Sequence, residues 1–398
     1  MNEAIRLLHF CPISLGGVAM NAHHQATALC EAGIDVTVLC PPDWRHAETD
    51  TSYRQQRTLV SPPPHGSSSR MKSRWLTAKA IWKNASLCDA AIRRGGFENV
   101  LFASYMEYLA PLWTPPLRRY RESGVWFGAM VLDPARDYVV GPAWWHQRSV
   151  SAGYSFLCDA FVHHDIDLRD HGAPGIPTTV VPHGDYPMPN PTKTSMELRQ
   201  ELQVPPGDTV VLCYGHLRDN KNLQTSIDAI ASVQNITLVV AGSEAAPGQQ
   251  QSAQYQHYAS ERHVGDKVRW LIGYQSEIET ANLFTMADVA LMPYDKSFVS
   301  ASGILYIAVP FQVPMIVSCG DGPLAQTIQE YSLGVRMSEP SVEAIQDGLQ
   351  RVLSSPGKPR WEAFQKEQSY ERNAAIVIER MKKHRTSQQL PESGIKEV

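Results

Sequence analysis

The apolar positions of the chain fall into short runs separated by amphipathic stretches, and this alternation occurs in both halves. Ile5 to Phe10 is a short apolar run, followed by the loop CPISLGG and a helix-like stretch from Val18 to Glu31. Gly33 closes that helix, and Asp35 to Leu39 reads as a second strand. Strand, glycine-bearing loop, helix and strand make a βαβ unit, whose crossover predicts a parallel sheet. Runs at Val100–Ala103, Val125–Leu132, Ala160–His163 and Thr178–Val181 continue it. Ser61–Ser69 (SPPPHGSSS) breaks the pattern, being too rich in Pro, Gly and Ser for regular structure.

The proline-dense stretch PHGDYPMPNPTK reads as a linker between domains. Beyond it, Val210–Tyr214 predicts a strand ending in Gly215, then HLRDNKNL and a helical segment near Thr225–Val233. Ile236–Ala241 predicts a strand that again ends in glycine, and Val268–Leu271, Val289–Met292 and Met315–Ser318 extend the series. Trp361–Lys383 reads as one last long helix, and Thr386–Val398 as a polar tail. No sequence repeat is visible, yet both halves alternate β and α in the same manner. The fold class expected is therefore α/β, with two Rossmann-like doubly wound domains facing a cleft. The boundaries expected are 1–186, 187–360, a helix 361–385 that returns toward the first domain, and a tail 386–398.

Composition narrows the function classes. The chain has 398 residues, 43% of them apolar, which is ample for two cores. Its 36 Lys+Arg against 40 Asp+Glu leave a net charge of -4. That balance excludes a nucleic-acid coat, and no nucleic-acid partner is expected. No run approaches the length of a membrane span, and MNEAIRLLHFCPISLGG has no basic segment ahead of an apolar one. The seven cysteines are scattered with no C-x-x-C pair. They read as reduced thiols of a cytoplasmic protein, without a zinc or disulfide framework.

Two stretches carry candidate chemistry. In SASGILYIAVPFQVPMIVS, Ser302 is placed to cap a helix opened by Gly303 and Ile304, where backbone N–H groups and the helix dipole suit a phosphate. An ordinary capped helix would read the same. In GHLRDNKN, Arg218 and Lys221 follow a strand, at the end of an open sheet where ligands bind. Two cations three residues apart suit a diphosphate, and a solvated surface loop is the alternative. Together the two stretches favour phosphate.

At these residues the chain resembles the GT-B glycosyltransferases of family 4. GHLRDNKNL, AGSE, VRWLIGYQSEIETANLFTMADVALMPY and SGILYIAVPFQVPMIVS follow one another in that family's order. SLGGVAMNAHHQATAL is similar to its glycine loop and first helix, VVPHG to its end-of-domain turn, and Trp361–Lys383 to its returning helix. The resemblance implies a nucleotide-diphosphate sugar as donor substrate and a saccharide or lipid-linked acceptor. It implies transfer with retention, in polysaccharide or glycoconjugate synthesis, with no cofactor and no metal. The first domain would take the acceptor and the second the donor. Gly16 and Gly17 would approach the donor by their backbone. Arg218 and Lys221 would hold the diphosphate, with Ser302, Gly303 and Ile304 donating N–H groups to it. Gly273 and Tyr274 would meet the base. Asp133, Glu107 and His183 are the candidates for catalytic groups nearest the sugar, each of them also readable as a turn or capping residue.

The sequence departs from the family at two places. Many members carry paired glutamates where Val299 and Ile307 stand here, although a branch reading S-G-x-L-L-L-A lacks the second. In WFGAMVLDP, Leu132 takes the place of a histidine that would contact the donor sugar. A non-catalytic nucleotide-sugar-binding protein and a nucleotide-sugar epimerase are therefore the rival readings. HHDID (His163–Asp167) contains a D-x-D, but it ends a first-domain strand, away from the cations of the second. Arg70–Arg94 is basic and aromatic, with Met71, Trp75, Ala78, Trp82 and Ala85 at helical spacing. It suits peripheral contact with an anionic membrane, or else an ordinary helix turning its tryptophans inward.

Overall fold

Apolar runs with turn residues at both ends become strands covered on both faces. The computed structural model describes residues 5–46, 51–61, 70–132, 141–184, 186–244, 248–354 and 357–389. The chain divides into two compact units, one of residues up to 184 together with those from 368, the other of residues 185–367. Among the described residues the first unit holds seven strands: β1 (Arg6–Phe10), β2 (Asp35–Cys40), β3 (Arg54–Arg57), β4 (Asn99–Phe102), β5 (Trp126–Met130), β6 (Asp159–Val162) and β7 (Thr178–Val180). They pair in parallel in the order β3-β2-β1-β4-β5-β6-β7. The second unit holds β8 (Thr209–Tyr214), β9 (Ile236–Gly242), β10 (Val268–Ile272), β11 (Val289–Pro293), β12 (Met315–Ser318) and β13 (Gly334–Arg336). These are parallel too, ordered β10-β9-β8-β11-β12-β13. Each order reverses once, at β1 and at β8, and ligands of such sheets bind beyond the carboxyl ends of the strands at that reversal.

Two strands went unforeseen. The β3 sequence RQQR has no apolar alternation, and it is an edge strand paired to β2 alone, with one side left to water. β13 has only 3 residues, too few to show a period.

Successive strand residues face opposite layers, so the first sheet has two cores. Leu7, Val36, Val38 and Leu101 pack under the helices Gly17–Glu31 and Tyr370–Gln389. Leu8, Phe10, Phe102 and Phe127 pack on the other face, under the helices Arg70–Gly95, Pro115–Glu122 and Ala143–Tyr154. Fully burying one such side chain contributes about 1.5–3 kcal/mol.

The single long helix expected over 361–383 is two helices. Trp361–Glu367 stays with the second unit, where Tyr331 donates a 2.6 Å hydrogen bond to Glu367. Tyr370–Gln389 belongs to the first unit and runs past the expected end at 385, while 390–398 lie outside the described residues. Polar groups hold it. Asn373 donates to Pro182 O (2.7 Å) and accepts from Gln25 (2.8 Å), which in turn bonds the buried His9 (3.0 Å). Asn21 donates to Tyr370 and to His183 O, both at 3.2 Å. Buried Asp159 accepts from Arg380 Nε (2.6 Å) and Trp126 Nε1 (2.7 Å).

Removing that carboxylate strands a guanidinium and an indole N–H. Asp159→Ala is therefore expected to lower the urea midpoint of the first unit by the equivalent of roughly 3 kcal/mol. Equilibrium unfolding followed by tryptophan fluorescence measures this, and an unchanged midpoint would show that Arg380 finds another acceptor.

Candidate functional site

In the second unit, three neighbouring strand ends each reach a glycine with positive φ: Gly215 (+93°) after β8, Gly242 (+146°) closing β9 and Gly273 (+136°) after β10. L side chains rarely adopt these angles. Backbone pairing persists here, with Gly215 N–H donating to Ala241 O (2.8 Å), Leu217 N–H to Ser243 O (3.0 Å) and Gly273 N–H to Gly242 O (3.0 Å). A Cβ on residue 242 would stand 2.2 Å from Gly215 O, so only glycine allows the two turns to lie against each other.

The loop after β8 is tied down at its far end. Asn222 takes a left-handed conformation (φ +47°) ahead of the helix Leu223–Ala231. Its side-chain amide donates to Pro293 O (2.9 Å) and to Asp295 Oδ1 (2.8 Å), fixing the loop to the end of β11. Lys221 consequently folds back over the strand end, where its Nζ donates to Tyr214 O at 2.6 Å. Burial brings its pKa down to about 8; the nearby Cys213 opposes this shift and the Arg218 charge adds to it. Among the described residues no carboxylate is among the groups acting on Lys221, and a negative charge placed beside it would favour its ammonium form. Arg218 and His216 are exposed on the same loop; partial desolvation of the His216 ring, and then the charges of Arg218 and Lys221, lower its pKa. Gly215, His216, Arg218, Lys221 and Ile304 line one cavity.

Ile304 arrives there on the helix Gly303–Ala308, and Ser302 precedes it. The expected Ser302 cap is absent: its buried hydroxyl turns away to Tyr294 OH (3.2 Å) and Met292 Sδ (3.8 Å). The first-turn N–H groups therefore have no side-chain cap. Gly303 lies against the buried Tyr186, which would be 3.7 Å from a Cβ there. Gly273 and the exposed Tyr274 follow the end of β10, outside that cavity. Val299 is exposed, and its carbonyl would lie 2.4 Å from a Cβ on Gly322, so the segment before the helix rests on the turn after β12.

The first unit carries the remaining candidates. Gly16 (φ +83°) precedes the helix Gly17–Glu31, with open space at the Cβ positions of both Gly16 and Gly17. Glu107 is buried in the turn after β4, its carbonyl accepting from Ala110 N–H at 3.1 Å. His183 follows β7; its ring lies 4.8 Å from His163, and burial lowers its pKa to about 4, so it is a neutral imidazole at neutral pH. Asp133 lies outside the described residues, and Leu132 packs on the first core. In the D-x-D, Asp167 caps a short turn and pairs with Arg169 (2.6 Å). Among the described residues no group of three His, Cys, Asp or Glu could hold a metal ion. Asn222, Tyr294 and the Gly215–Gly242 contact were missed from sequence, because glycines after strands are legible there but their mutual approach is not.

Residues 195–375 match the family described as Glycosyl transferases group 1. They are a group 1 glycosyltransferase domain. Solved structures agree in fold over nearly the whole chain. A sucrose-phosphate synthase from Thermosynechococcus elongatus superposes with a TM-score of 0.69 at 16% identity, covering 96% of this chain and 100% of its own. HepE of Anabaena in complex with UDP gives 0.70 at 12% identity, covering 96% and 100%. The same protein in complex with UDP-glucose gives 0.64 at 13%, covering 96% and 99%. No curated protein matches the sequence. The fold is GT-B, and the chemistry carried by the glycosyltransferase domain is sugar transfer.

The glycosyltransferase domain depends on its glycine contact. Gly242→Ala is expected to destabilise the second unit by roughly 1–3 kcal/mol, because both its φ and the Gly215 carbonyl oppose a methyl group. Urea unfolding compares it with Gly248→Ala, which has positive φ but open space around it. Equal losses would leave φ as the whole cause.

Proposed function

We propose that the protein transfers a sugar from a nucleotide-diphosphate donor to the hydroxyl of a saccharide or lipid-linked acceptor, with retention at the anomeric carbon. The observation that carries this reading is the convergence of Arg218, Lys221 and Ile304 at the carboxyl ends of β8 and β9, inside the glycosyltransferase domain. In the reaction the bond from the anomeric carbon to the diphosphate oxygen breaks with its electron pair going to the diphosphate. The acceptor oxygen bonds to that carbon on the face the diphosphate leaves, as retention requires, and its proton passes to the departing diphosphate. The transition state is oxocarbenium-like, and negative charge grows on the leaving group. Arg218, Lys221 and the uncapped N–H groups at Gly303 and Ile304 would stabilise it. Gly273 and Tyr274 would border the base, and Gly16, Gly17, Glu107, Asp133 and His183 would serve the sugar and acceptor. A neutral His183 could accept a proton or a hydrogen bond but would add no positive charge. A lipid-linked acceptor would bring the enzyme to a membrane, where the helix Arg70–Gly95 would face the lipid.

Arg218→Ala and Lys221→Ala should each weaken nucleotide-diphosphate binding by ~1.5–3 kcal/mol, the scale of hydrogen bonds to charged groups. Calorimetry with UDP, GDP and ADP tests this, and unchanged affinity in both variants would remove the assignment. Lys221 also sets a pH dependence. Between the folded value of about 8 and the ordinary 10.5, the unfolded chain keeps a proton that the folded one has lost, so stability rises with pH in that window. Binding runs the opposite way, since a diphosphate favours the ammonium. Affinity should fall as the pH passes 8, and Lys221→Met should flatten that step.

Transfer from the matched nucleotide sugar should persist in EDTA, with NMR of the product's anomeric proton reporting retention. Activity lost in EDTA and restored by manganese would return attention to Asp165 and Asp167. Donor and acceptor that both bind without turnover would favour the non-catalytic reading, which Val299 and Ile307 motivate.

A further inference from the structure

One face of the first unit gathers most of the exposed large apolar side chains among its described residues. The helices over the Leu8–Phe10–Phe127 core form a single layer on one side of the sheet. Three elements of that layer turn large apolar side chains to water: Trp75 (61% exposed) and Trp82 (55%) on the helix Arg70–Gly95, Leu112 (52%) on Ala110–Trp113, and Trp144 (66%) on Ala143–Tyr154. An inward-packing helix would bury its tryptophans, and this one does not.

Along the long helix the exposed charge has one sign. Lys72, Arg74, Lys79 and Lys83 are exposed on the long helix, and no acidic residue occurs from Arg70 to Cys88. Trp75, Lys79, Trp82, Lys83 and Ser86 follow one another at helical spacing on one exposed stripe, with the Lys79 ammonium 5.3 Å from the Trp75 ring. Further along the layer, a groove of about 530 Å³ is lined by Pro111, Arg118, Trp144, Gln147, Arg148 and Ser151. Arg118 and Arg148 are both exposed there, two guanidiniums beside an exposed indole.

We infer that this face docks on an anionic lipid bilayer, with Trp75, Trp82, Leu112 and Trp144 seated among the headgroups and a lipid phosphate held in the Arg118–Arg148 groove. Charge complementarity selects that occupant over a second copy of the chain, because two such faces would oppose cation to cation. Indoles settle at the boundary of water and hydrocarbon, and long cationic side chains reach the phosphates around them. The protein is a peripheral binder in this picture, since no helix among the described residues is long and apolar enough to cross a membrane. The inference rests on this surface alone and stands whether or not the second unit transfers sugar.

Cosedimentation of the full chain with vesicles tests it. Binding is expected to mixed phosphatidylglycerol and phosphatidylcholine vesicles, to weaken with salt, and to be lost on pure phosphatidylcholine. Each cation near such a surface changes affinity about fivefold, so Lys79→Gln with Lys83→Gln should cost about 25-fold. Lys382→Gln with Arg385→Gln removes the same charge from the opposite layer and should change little. Arg118→Gln with Arg148→Gln should weaken binding as well, and Trp75→Ser with Trp82→Ser should lower it even at low salt, where charge alone is strongest. UDP affinity, measured alongside, should be unaltered in every variant, which separates this surface from the donor site. A wild-type chain left in the supernatant at low salt would overturn the inference, as would equal losses in the two lysine-bearing pairs. Dimerisation in solution that the tryptophan variants abolish, without vesicle binding, would give the face to a second copy instead.

Discussion

Where β8 and β9 end, the carbonyl oxygen of Gly215 occupies the space that a side chain on residue 242 would need. The loop that follows β8 in the second unit rests on that contact. It lets backbone pairing run on past the strands, through Leu217 to Ser243 and Glu244, so the loop 215–222 leaves the sheet in one direction. Asn222 then anchors the loop to the end of β11, and Lys221 lies over the strand end it has just left. A side chain at 242 would push the loop outward and take Arg218 and Lys221 with it. Burial penalises the Lys221 charge there, and an anion beside it would offset that penalty.

The first unit solves a different problem: its last helix comes from the far end of the sequence and must dock at one axial position. Apolar packing alone would tolerate a slide along the sheet. The amides of Asn21, Gln25 and Asn373 bond one another's neighbourhood, the carbonyls of Pro182 and His183, and the hydroxyl of Tyr370. Low local dielectric makes such bonds costly to lose, so the network fixes the helix register as well as contributing to stability. Asp159, between Arg380 and Trp126, does the same one end further on. Both places where the chain passes between units adjoin this network: Gly184 is tight against the Tyr370 ring, 2.5 Å from where a Cβ would sit.

The two units divide their surfaces by chemistry. The second gathers cations at the carboxyl ends of its strands, where an anionic ligand would be enclosed by backbone. The first spreads cations and indoles over an outer helical layer, where only an extended partner could engage them all. Electrostatics is common to both, but the geometry is concave in one and broad in the other, and that difference decides what each can hold.

What the sequence by itself determined was the class of the molecule: two parallel α/β units, their strand positions within a residue or two, and the loop bearing Arg218 and Lys221. Those features are local, since a run of apolar residues between turn formers is a strand wherever it lies. Tertiary structure decided the rest. The edge strand RQQR forms because β2 offers it a partner, a fact absent from its own residues. The break between Trp361–Glu367 and Tyr370–Gln389 follows from the two pieces belonging to different units. Ser302 looked like a cap in sequence, but Tyr294 stands close enough to claim its hydroxyl. Trp75 and Trp82 share a helical face in either reading, and only packing settled that the face turns to water. In each case the deciding group is distant along the chain, and a sequence pattern carries no record of distances between segments.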